Sequence, residues 1–184
     1  MSSITYKTIL ESKPVVGSSG SIELPITRCV TPAFTRGSQN SKITKRCGIA
    51  LLDKDDNVLI VKQNNYVGKW GFPKGHMEEI DNGIRSKCAV REFLEEVDVT
   101  ISSLNCTILQ ECRYRYVREN YDFEITIYVL RSEKSYTEIE TNISIELSDL
   151  KWIKYSELKE QFRRNRNDFN VSVYTVVEEY VQYA

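Results

Sequence analysis

Glu92, Glu95 and Glu96 form a group of acidic side chains whose spacing suits metal chemistry. On a helix, Glu92 lies one turn before the other two, so the three carboxylates crowd one side while apolar residues such as Phe93 line another. Like charges at this spacing destabilise a helix by about 0.2–0.5 kcal/mol per pair. A hard divalent cation with oxygen ligands reverses that repulsion, so the pattern indicates a magnesium or manganese site.

A glycine-bearing loop precedes these glutamates. Taken alone, a run of charges is typical of a solvated acidic face. The loop W-G-F-P-K-G-H at residues 70–76 adds Lys74, which suits phosphate oxygens, and a glycine that permits close approach of a ligand. The combination predicts a site for a divalent metal and a pyrophosphate. The predicted metal ligands are three carboxylates and one backbone carbonyl: Glu92, Glu95, Glu96 and Gly75.

Residues 75–99 resemble the Nudix box, the signature of the Nudix hydrolase superfamily. The match is in register from Arg91 onward, except that Asp98 replaces the glycine that ends the family's helix. Aspartate tolerates the left-handed conformation better than most residues, so the helix can still end there. The interval from Gly75 to Arg91 is two residues longer than the family pattern, which puts Gly83 where the first glutamate belongs. Three residues in the lengthened loop can replace that carboxylate: Glu78, Glu79 or Asp81.

Within this superfamily, the loop resembles that of the mRNA-decapping enzymes, whose compact forms occur in large DNA viruses. Residues 69–75, with Cys88 and Ala89 further on, are similar to the W-G-F-P-K-G-K and C-A-I-R-E segments of those enzymes. His76 replaces the lysine that follows the glycine there. The version P-K-G-H is found in diadenosine tetraphosphate hydrolases, and diphosphoinositol polyphosphate phosphohydrolases have a similar loop, so these substrates stay as alternatives.

A second resemblance to the decapping enzymes lies downstream, where a glutamate stands six residues ahead of Trp152. In that family this glutamate acts in catalysis, which implies that Glu146 is a fourth catalytic carboxylate. Glu138 and Glu140 are rivals because they lie in the same predicted loop. We expect Trp152 itself to anchor the core, since buried aromatic residues mainly supply packing.

The resemblance implies a hydrolase that uses Mg²⁺ or Mn²⁺ and cleaves the mRNA cap, releasing 7-methyl-GDP and 5′-monophosphate RNA. Lys74 and His76 would contact substrate phosphates, and Arg91 would brace the loop through a carboxylate. The catalytic residues it implies are four glutamates: Glu92, Glu95, Glu96 and Glu146. The alternatives are hydrolysis of diadenosine polyphosphates or diphosphoinositol polyphosphates and, in another class, an inactive Nudix module that only binds RNA. The inactive module is disfavoured because folding does not need three clustered carboxylates.

A capped transcript needs a cationic track for RNA phosphates and an aromatic clamp for 7-methylguanine. The candidates for the track are five arginines, two on one predicted strand and three before the last helix: Arg113, Arg115, Arg163, Arg164 and Arg166. The candidates for the clamp are three of the eleven tyrosines: Tyr66, Tyr114 and Tyr116.

Composition limits the class of protein. The chain has 184 residues, 41% of them hydrophobic, and a net charge of −1, so it is not a globally basic nucleic-acid binder. Its five cysteines are odd in number and form no C-x-x-C pair, which predicts structural thiols in a reducing compartment. No apolar run is long enough to span a membrane, and no signal pattern is evident. We therefore expect a cytoplasmic protein, in the host cytoplasm if viral, with no membrane contact and no obligate protein partner.

Apolar runs predict strands at 47–52, 58–61, 106–117, 123–130 and 150–153. A helix capped by Ser156 and running to residue 162 follows, and a last helix is predicted at about 168–183. Mixed strands with flanking helices in this order suit an α/β fold, the Nudix α/β/α sandwich with a mixed sheet. We assign residues 46–184 to this domain. Residues 1–45 form an N-terminal extension, whose sequence indicates at most edge strands.

Overall fold

The structure, a computed structural model, describes residues 43–65, 67–118 and 121–180. Most of the predicted N-terminal extension therefore lies outside the described residues. Seven strands and three helices are described. The strands are β1 (Ile43–Leu52), β2 (Asn57–Gln63), β3 (Trp70–Gly71), β4 (Lys74–His76), β5 (Thr107–Arg118), β6 (Tyr121–Arg131) and β7 (Leu147–Lys154). The helices are α1 (Arg85–Val97), α2 (Tyr155–Arg164) and α3 (Val171–Glu179).

The strands form one mixed sheet in the order β3-β2-β1-β6-β5, with β4 paired to β1 and β7 paired to β2. β1 runs parallel to β6, whereas the remaining pairs are antiparallel. β1 pairs with β4 through its first half, where Cys47 lies opposite Gly75, and with β2 at its end, where Leu52 lies opposite Val58. The pairing with β1 holds the short strand β4, which carries Lys74 and Gly75, against the centre of the sheet.

Helices cover both faces of the sheet. Residues from α2 and α3, such as Leu158 and Val173, share one buried cluster with Ala50 and Ile127 of the sheet. α1 packs against β1 from the other side, where Cys47 of β1 and Cys88 of α1 are both buried. Because successive side chains of a strand point to opposite faces, β1 contributes to both layers. The predicted α/β/α sandwich with a mixed sheet is confirmed.

Four of the five predicted strands are shorter than the observed ones, and the strand predicted at 106–117 is displaced by one residue from β5. β1 begins at Ile43 rather than at residue 47, because its first residues alternate between exposed and half-buried positions and form no apolar run. β7 begins at Leu147 rather than at residue 150, because the exposed Ser148 and Asp149 separate Leu147 from the apolar residues that follow. The strands β3 and β4 were not predicted, since two or three residues carry no periodicity.

The predicted bounds of the last two helices were also wrong. α2 begins at Tyr155 with Lys154 as its N-cap residue, so Ser156 is not the cap. α3 is shorter than predicted because Arg166–Asp168 form a separate 3-10 turn and Asn170 caps the helix by accepting a hydrogen bond from Ser172. No helix in the described part of the chain is long and apolar enough to cross a membrane.

Trp152 is not the core anchor that we predicted. Its side chain is half-buried, and its ring packs against Tyr136 with 6.1 Å between the ring centroids. The next residue, Ile153, belongs to the buried cluster instead. Neighbouring residues of a strand face opposite sides of the sheet, so only one of the two can enter that cluster.

Candidate active site

The predicted catalytic residues line a single cleft of about 490 Å³. β4, α1 and the segment before β7 contribute the residues predicted from the sequence: Lys74, Gly75, His76, Glu92, Glu95, Glu96 and Glu146. The structure also places in this cleft residues that the sequence did not indicate: Arg46, Gln63, Asn65, Ser144 and Ile145. The sheet and α1 therefore bring together side chains that lie far apart in the chain.

α1 presents its three glutamates at different depths. Phe93 and Val97 are fully buried and fix the rotation of the helix. Glu96 is 4% exposed and points inward, whereas the Glu95 side chain is 56% exposed. Asp98 ends the helix with a φ of 58°, so the predicted left-handed end of the helix is confirmed.

Gly75 gives Glu92 its position. A Cβ atom at residue 75 would lie 1.9 Å from Oε2 of Glu92, far inside van der Waals contact. Only glycine therefore lets this carboxylate pack against the loop backbone. The contact places a carboxylate of α1 directly beside the β4 segment whose carbonyl was predicted to bind metal.

Arg91 connects the loop to the glutamates. Its guanidinium donates hydrogen bonds to Asp81 through Nε and Nη2, at 3.1 and 3.0 Å, and Nη2 also donates to the His76 carbonyl at 2.9 Å. Nη1 donates to Glu92 Oε1 at 2.9 Å and to Glu95 Oε2 at 2.8 Å. Arg91 is thus the counter-charge of three carboxylates, those of Asp81, Glu92 and Glu95.

Of the three carboxylates that can replace the first glutamate of the Nudix box, Asp81 is the one that contacts Arg91. Asn82 and Gly83 follow it with φ angles of 51° and 73°, which turns the chain directly into α1. Asp81 is 2% exposed, and the hydrogen bonds from Arg91 hold the pKa of this carboxyl below its ordinary value. The lengthened loop therefore keeps a buried partner for the arginine.

Burial shapes the electrostatics of the site. It raises the pKa of Glu96 to about 7, against the opposing charge of Lys74, and it also raises the pKa of Glu92. Lys74 is 5% exposed, so burial lowers the pKa of its ammonium group, and its backbone N–H donates to Glu96 Oε2 at 3.0 Å. A cation in the cleft would favour the charged form of these carboxylates.

The donor set fits a divalent cation. Carboxylates and a backbone carbonyl are the hard oxygen donors that Mg²⁺ and Mn²⁺ prefer. Arg91 pairs with Glu92 and Glu95, and within the described ranges no three acidic, histidine or cysteine side chains converge on one point. The residues that would hold the cation are the predicted donors that line the cleft: Glu92, Glu95, Glu96 and Gly75.

Glu146 is the only one of the three candidate fourth carboxylates that lines the cleft. Its charge contributes to the raised pKa of Glu96. Its carbonyl accepts a hydrogen bond from the Asn64 N–H at 2.7 Å, which holds the segment beside β2. Glu138 instead accepts from the Ser135 N–H at 2.8 Å in a separate turn.

The arginines predicted to bind RNA do not line the cleft. Four of the five pair with carboxylates: Arg113 with Glu111, Arg115 with Asp122, Arg164 with Glu160 and Arg166 with Glu178. Arg163 is exposed. Since these carboxylates offset the charge of four arginines, the predicted cationic track is less positive than the sequence suggests.

Two of the three tyrosines predicted to clamp 7-methylguanine, Tyr114 and Tyr116, do not line the cleft. Tyr66 is outside the described residues. Tyr116 stacks on Phe123 with 5.1 Å between the ring centroids, and Tyr114 packs edge-on against Tyr174 at 5.4 Å. These rings line β5 and β6 rather than the space around the glutamates.

Arg46 is the most informative residue that sequence reasoning missed. Its Nε donates to His76 Nε2 at 3.0 Å, because the pairing of β1 with β4 sets these two residues opposite each other. The only sequence signal was a charged residue in the polar first half of a strand. Gln63, Asn65 and Ile145 gave no signal, since their position depends on two loops that meet in space.

The comparisons with known proteins agree with this geometry. The model of the NUDIX domain matches residues 42–172, which is more than half of the chain. The chain therefore belongs to the Nudix family. It is a hydrolase that acts on pyrophosphate bonds. Nudix hydrolases generally use a divalent metal such as Mg²⁺ or Mn²⁺. No curated protein matches this chain.

Similar solved structures are distant in sequence and show the fold alone. An Ap4A hydrolase of C. elegans has a TM-score of 0.54 and 18% identity over 65% of this chain and 84% of that chain. A Nudix hydrolase from Nitrosomonas europaea has a TM-score of 0.52 and 21% identity over 79% and 74%. A bifunctional NMN adenylyltransferase/ADP ribose pyrophosphatase from Francisella tularensis, complexed with AMP and a Mn ion, has a TM-score of 0.59 and 15% identity over 77% and 42%.

Proposed function

We propose that this chain hydrolyses the mRNA cap with Mg²⁺ or Mn²⁺ as its cofactor, and releases 7-methyl-GDP and 5′-monophosphate RNA. The observation that carries the proposal is the position of Glu146. The resemblance to decapping enzymes selected this residue by its distance from Trp152, and it lies in the cleft with Glu96. Family membership supports the coarser reaction, cleavage of a pyrophosphate bond.

The residues of the cleft have separate roles in this proposal. Arg46, His76 and Lys74 hold the oxygens of the triphosphate bridge through positive charge and hydrogen bonds. Glu146 accepts a proton from the attacking water. The bond that breaks is the anhydride between the phosphate kept by the RNA and the two that leave with 7-methylguanosine.

A bound divalent cation neutralises phosphate charge and lowers the pKa of the attacking water. The residues that would hold it, Glu92, Glu95, Glu96 and Gly75, surround the same cleft. Arg91 keeps its hydrogen bonds to Asp81 and to the His76 carbonyl, so that the loop stays in place while Glu92 and Glu95 face the ligand.

Hydrolysis of diadenosine polyphosphates is the second candidate function. His76 favours it, because this residue is the histidine of the P-K-G-H version of the loop and it lines the cleft. A free dinucleotide also needs no surface beyond the cleft. This fits the pairing of four predicted RNA-binding arginines with carboxylates.

A comparison of three substrates tests the proposal. Cap-labelled RNA, diadenosine tetraphosphate and a diphosphoinositol polyphosphate are incubated separately with the protein and with Mg²⁺ or Mn²⁺. We expect the highest kcat/KM for capped RNA. Preference for diadenosine tetraphosphate would move the assignment to the second candidate, and preference for the inositol compound would contradict both.

A further inference from the structure

A continuous series of stacked side chains begins at the wall of the cleft. Arg46 lines the cleft, and its guanidinium lies over the ring of Phe123 at 5.6 Å from the centroid. Phe123 stacks on Tyr116 with 5.1 Å between the centroids and only 16° between the ring planes. Strand register explains this contact, because Tyr116 and Phe123 are direct partners in the pairing of β5 with β6. A series of side-chain contacts thus leads from a residue of the cleft to this strand pair.

The series extends from β5 to α3. Tyr116 stacks with Tyr114, two residues earlier on the same strand face, at 6.1 Å. Tyr114 contacts the edge of Tyr174 at 5.4 Å, and the guanidinium of Arg166 lies over Tyr174 at 5.2 Å. We call this series the aromatic track. Its members are Arg46, Phe123, Tyr116, Tyr114, Tyr174 and Arg166.

The rings of the aromatic track are not fully buried. Phe123, Tyr116, Tyr114 and Tyr174 are all partly buried, and Tyr116 and Tyr174 pack with one side against the buried cluster of the sheet. Tyr121, whose ring lies 6.3 Å from that of Phe123, is 61% exposed. Partly exposed rings between arginines match the surfaces on which proteins stack the bases of single-stranded nucleic acids.

We propose that the aromatic track binds the single-stranded 5′ segment of an RNA substrate. The bases stack on Phe123, Tyr116 and Tyr114, while Arg46 and Arg166 contact phosphates at the two ends. The inference rests on the proposed function, because it takes capped RNA as the substrate. It gives Tyr114 and Tyr116 a role different from the cap clamp, since the cap lies with its phosphates in the cleft and the rings lie beyond it.

Two features favour RNA over another occupant of this surface. First, the track starts at a residue of the cleft, where the first nucleotide after the cap must lie. Second, each end of the track carries an arginine, which matches a chain of phosphates. Arg166 also pairs with Glu178 at 2.7 Å, but both side chains are about half exposed, and exposed pairs are weak enough for a phosphate to compete.

Equilibrium binding of RNA tests the track. The probe is a fluorescent, unstructured 5′-monophosphate RNA of twelve nucleotides, in the presence of a chelator so that no turnover occurs. Tyr114→Leu and Tyr116→Leu keep apolar volume but remove the ring, so each should weaken binding by about tenfold. Tyr114→Phe and Tyr116→Phe keep the ring and should bind like the parent. The matched control is Tyr136→Leu, which removes a half-exposed ring that stacks on Trp152 outside the track.

Hydrolysis of two capped substrates gives the second readout. For a capped RNA of twelve nucleotides, KM in the leucine variants should rise about tenfold more than for a cap dinucleotide, which is too short to reach Tyr116. An equal rise of KM for both substrates would overturn the proposal, because the rings would then affect the catalytic cleft itself rather than the binding of the RNA chain. Unchanged RNA affinity in folded leucine variants would also overturn it, as would equal loss in the leucine and phenylalanine variants.

The test separates the track from the proposed function. If the parent protein cleaves capped RNA but the leucine variants bind RNA normally, the track is refuted and decapping stands. If RNA binding depends on the rings but the cap is not cleaved, decapping is refuted and the track stands. Should the leucine variants fail to fold, photo-crosslinking of a thiouridine-containing RNA to the parent decides the point. Crosslinks at Tyr114, Tyr116 or Phe123 support the track, and crosslinks confined to other residues overturn it.

Discussion

The contact between Asp81 and Arg91 predicts how the lengthened loop replaces the missing glutamate of the Nudix box. Asp81→Asn keeps the shape of the side chain but removes the charge that faces Arg91. Without that charge, Glu92 and Glu95 are the carboxylates that still pair with the guanidinium, beside its hydrogen bond to the His76 carbonyl. We therefore expect Asp81→Asn both to destabilise the protein and to make Arg91 compete more strongly with metal for Glu92 and Glu95.

The contacts of Asp81 determine how large the expected loss of stability is. Asp81 is 2% exposed and accepts hydrogen bonds from Nε and Nη2 of Arg91 and from the Glu78 N–H. Breaking a buried ion pair costs about 3–5 kcal/mol when the remaining charge loses its only partner. Arg91 keeps other partners, so we expect about 2 kcal/mol, which lowers Tm by roughly 4–8 °C for a domain of this size. Asp81 contacts Arg91 and is not itself a predicted metal ligand. Loss of a contact of this kind beside a metal site should raise the metal concentration for half-maximal activity about tenfold.

Thermal unfolding and a metal titration of hydrolysis check this prediction, with Glu79→Gln as the control in the same turn. The pKa of Asp81 is lowered in the folded protein, so its stabilising effect is fully present above the ordinary value of 3.8 and is lost as the pH falls below it. The difference in Tm between parent and Asp81→Asn should therefore be full at pH 7 and shrink below about pH 4. An unchanged Tm and metal requirement in Asp81→Asn, or an equal effect of Glu79→Gln, would refute the role of Asp81.

Two further predictions concern the catalytic carboxylates. Glu95→Gln and Glu96→Gln each remove a charge that opposes the cation without changing side-chain shape, so hydrolysis should fall at least ~100-fold while circular dichroism shows a folded protein. Near-normal turnover in either variant would remove that residue from the metal site. Glu146→Gln should reduce kcat by about 10²–10⁴-fold with little change in substrate affinity, if this residue takes the proton of the water. A comparable loss in Glu138→Gln or Glu140→Gln, but not in Glu146→Gln, would show that the spacing to Trp152 selects the wrong residue.

The fold was predictable where its signals are local. The helix that carries Glu92, Glu95 and Glu96 follows from a 3.6-residue period and a recognisable motif, and Asp98 ends it as its tolerance of positive φ suggested. The central strands follow from apolar runs. β4 was missed although it carries Lys74, because three residues have no period and are held in place only by pairing with β1.

The site was predictable in composition but not in its contacts. The sequence left Glu78, Glu79 and Asp81 as equal candidates, because the choice depends on how a lengthened loop turns back toward Arg91. The pairing of Arg115 with Asp122 depends in the same way on a strand register that no local pattern encodes. Contacts between distant segments are therefore the part of the site that sequence reasoning cannot supply.

The most direct test of the central claim is product analysis with RNA labelled in the phosphates of its cap. The account predicts that labelled 7-methyl-GDP appears with Mg²⁺ or Mn²⁺, is absent with a chelator, and falls at least ~100-fold with Glu96→Gln. An intact cap under conditions in which diadenosine tetraphosphate is hydrolysed, or 7-methyl-GMP as the released product, would contradict it.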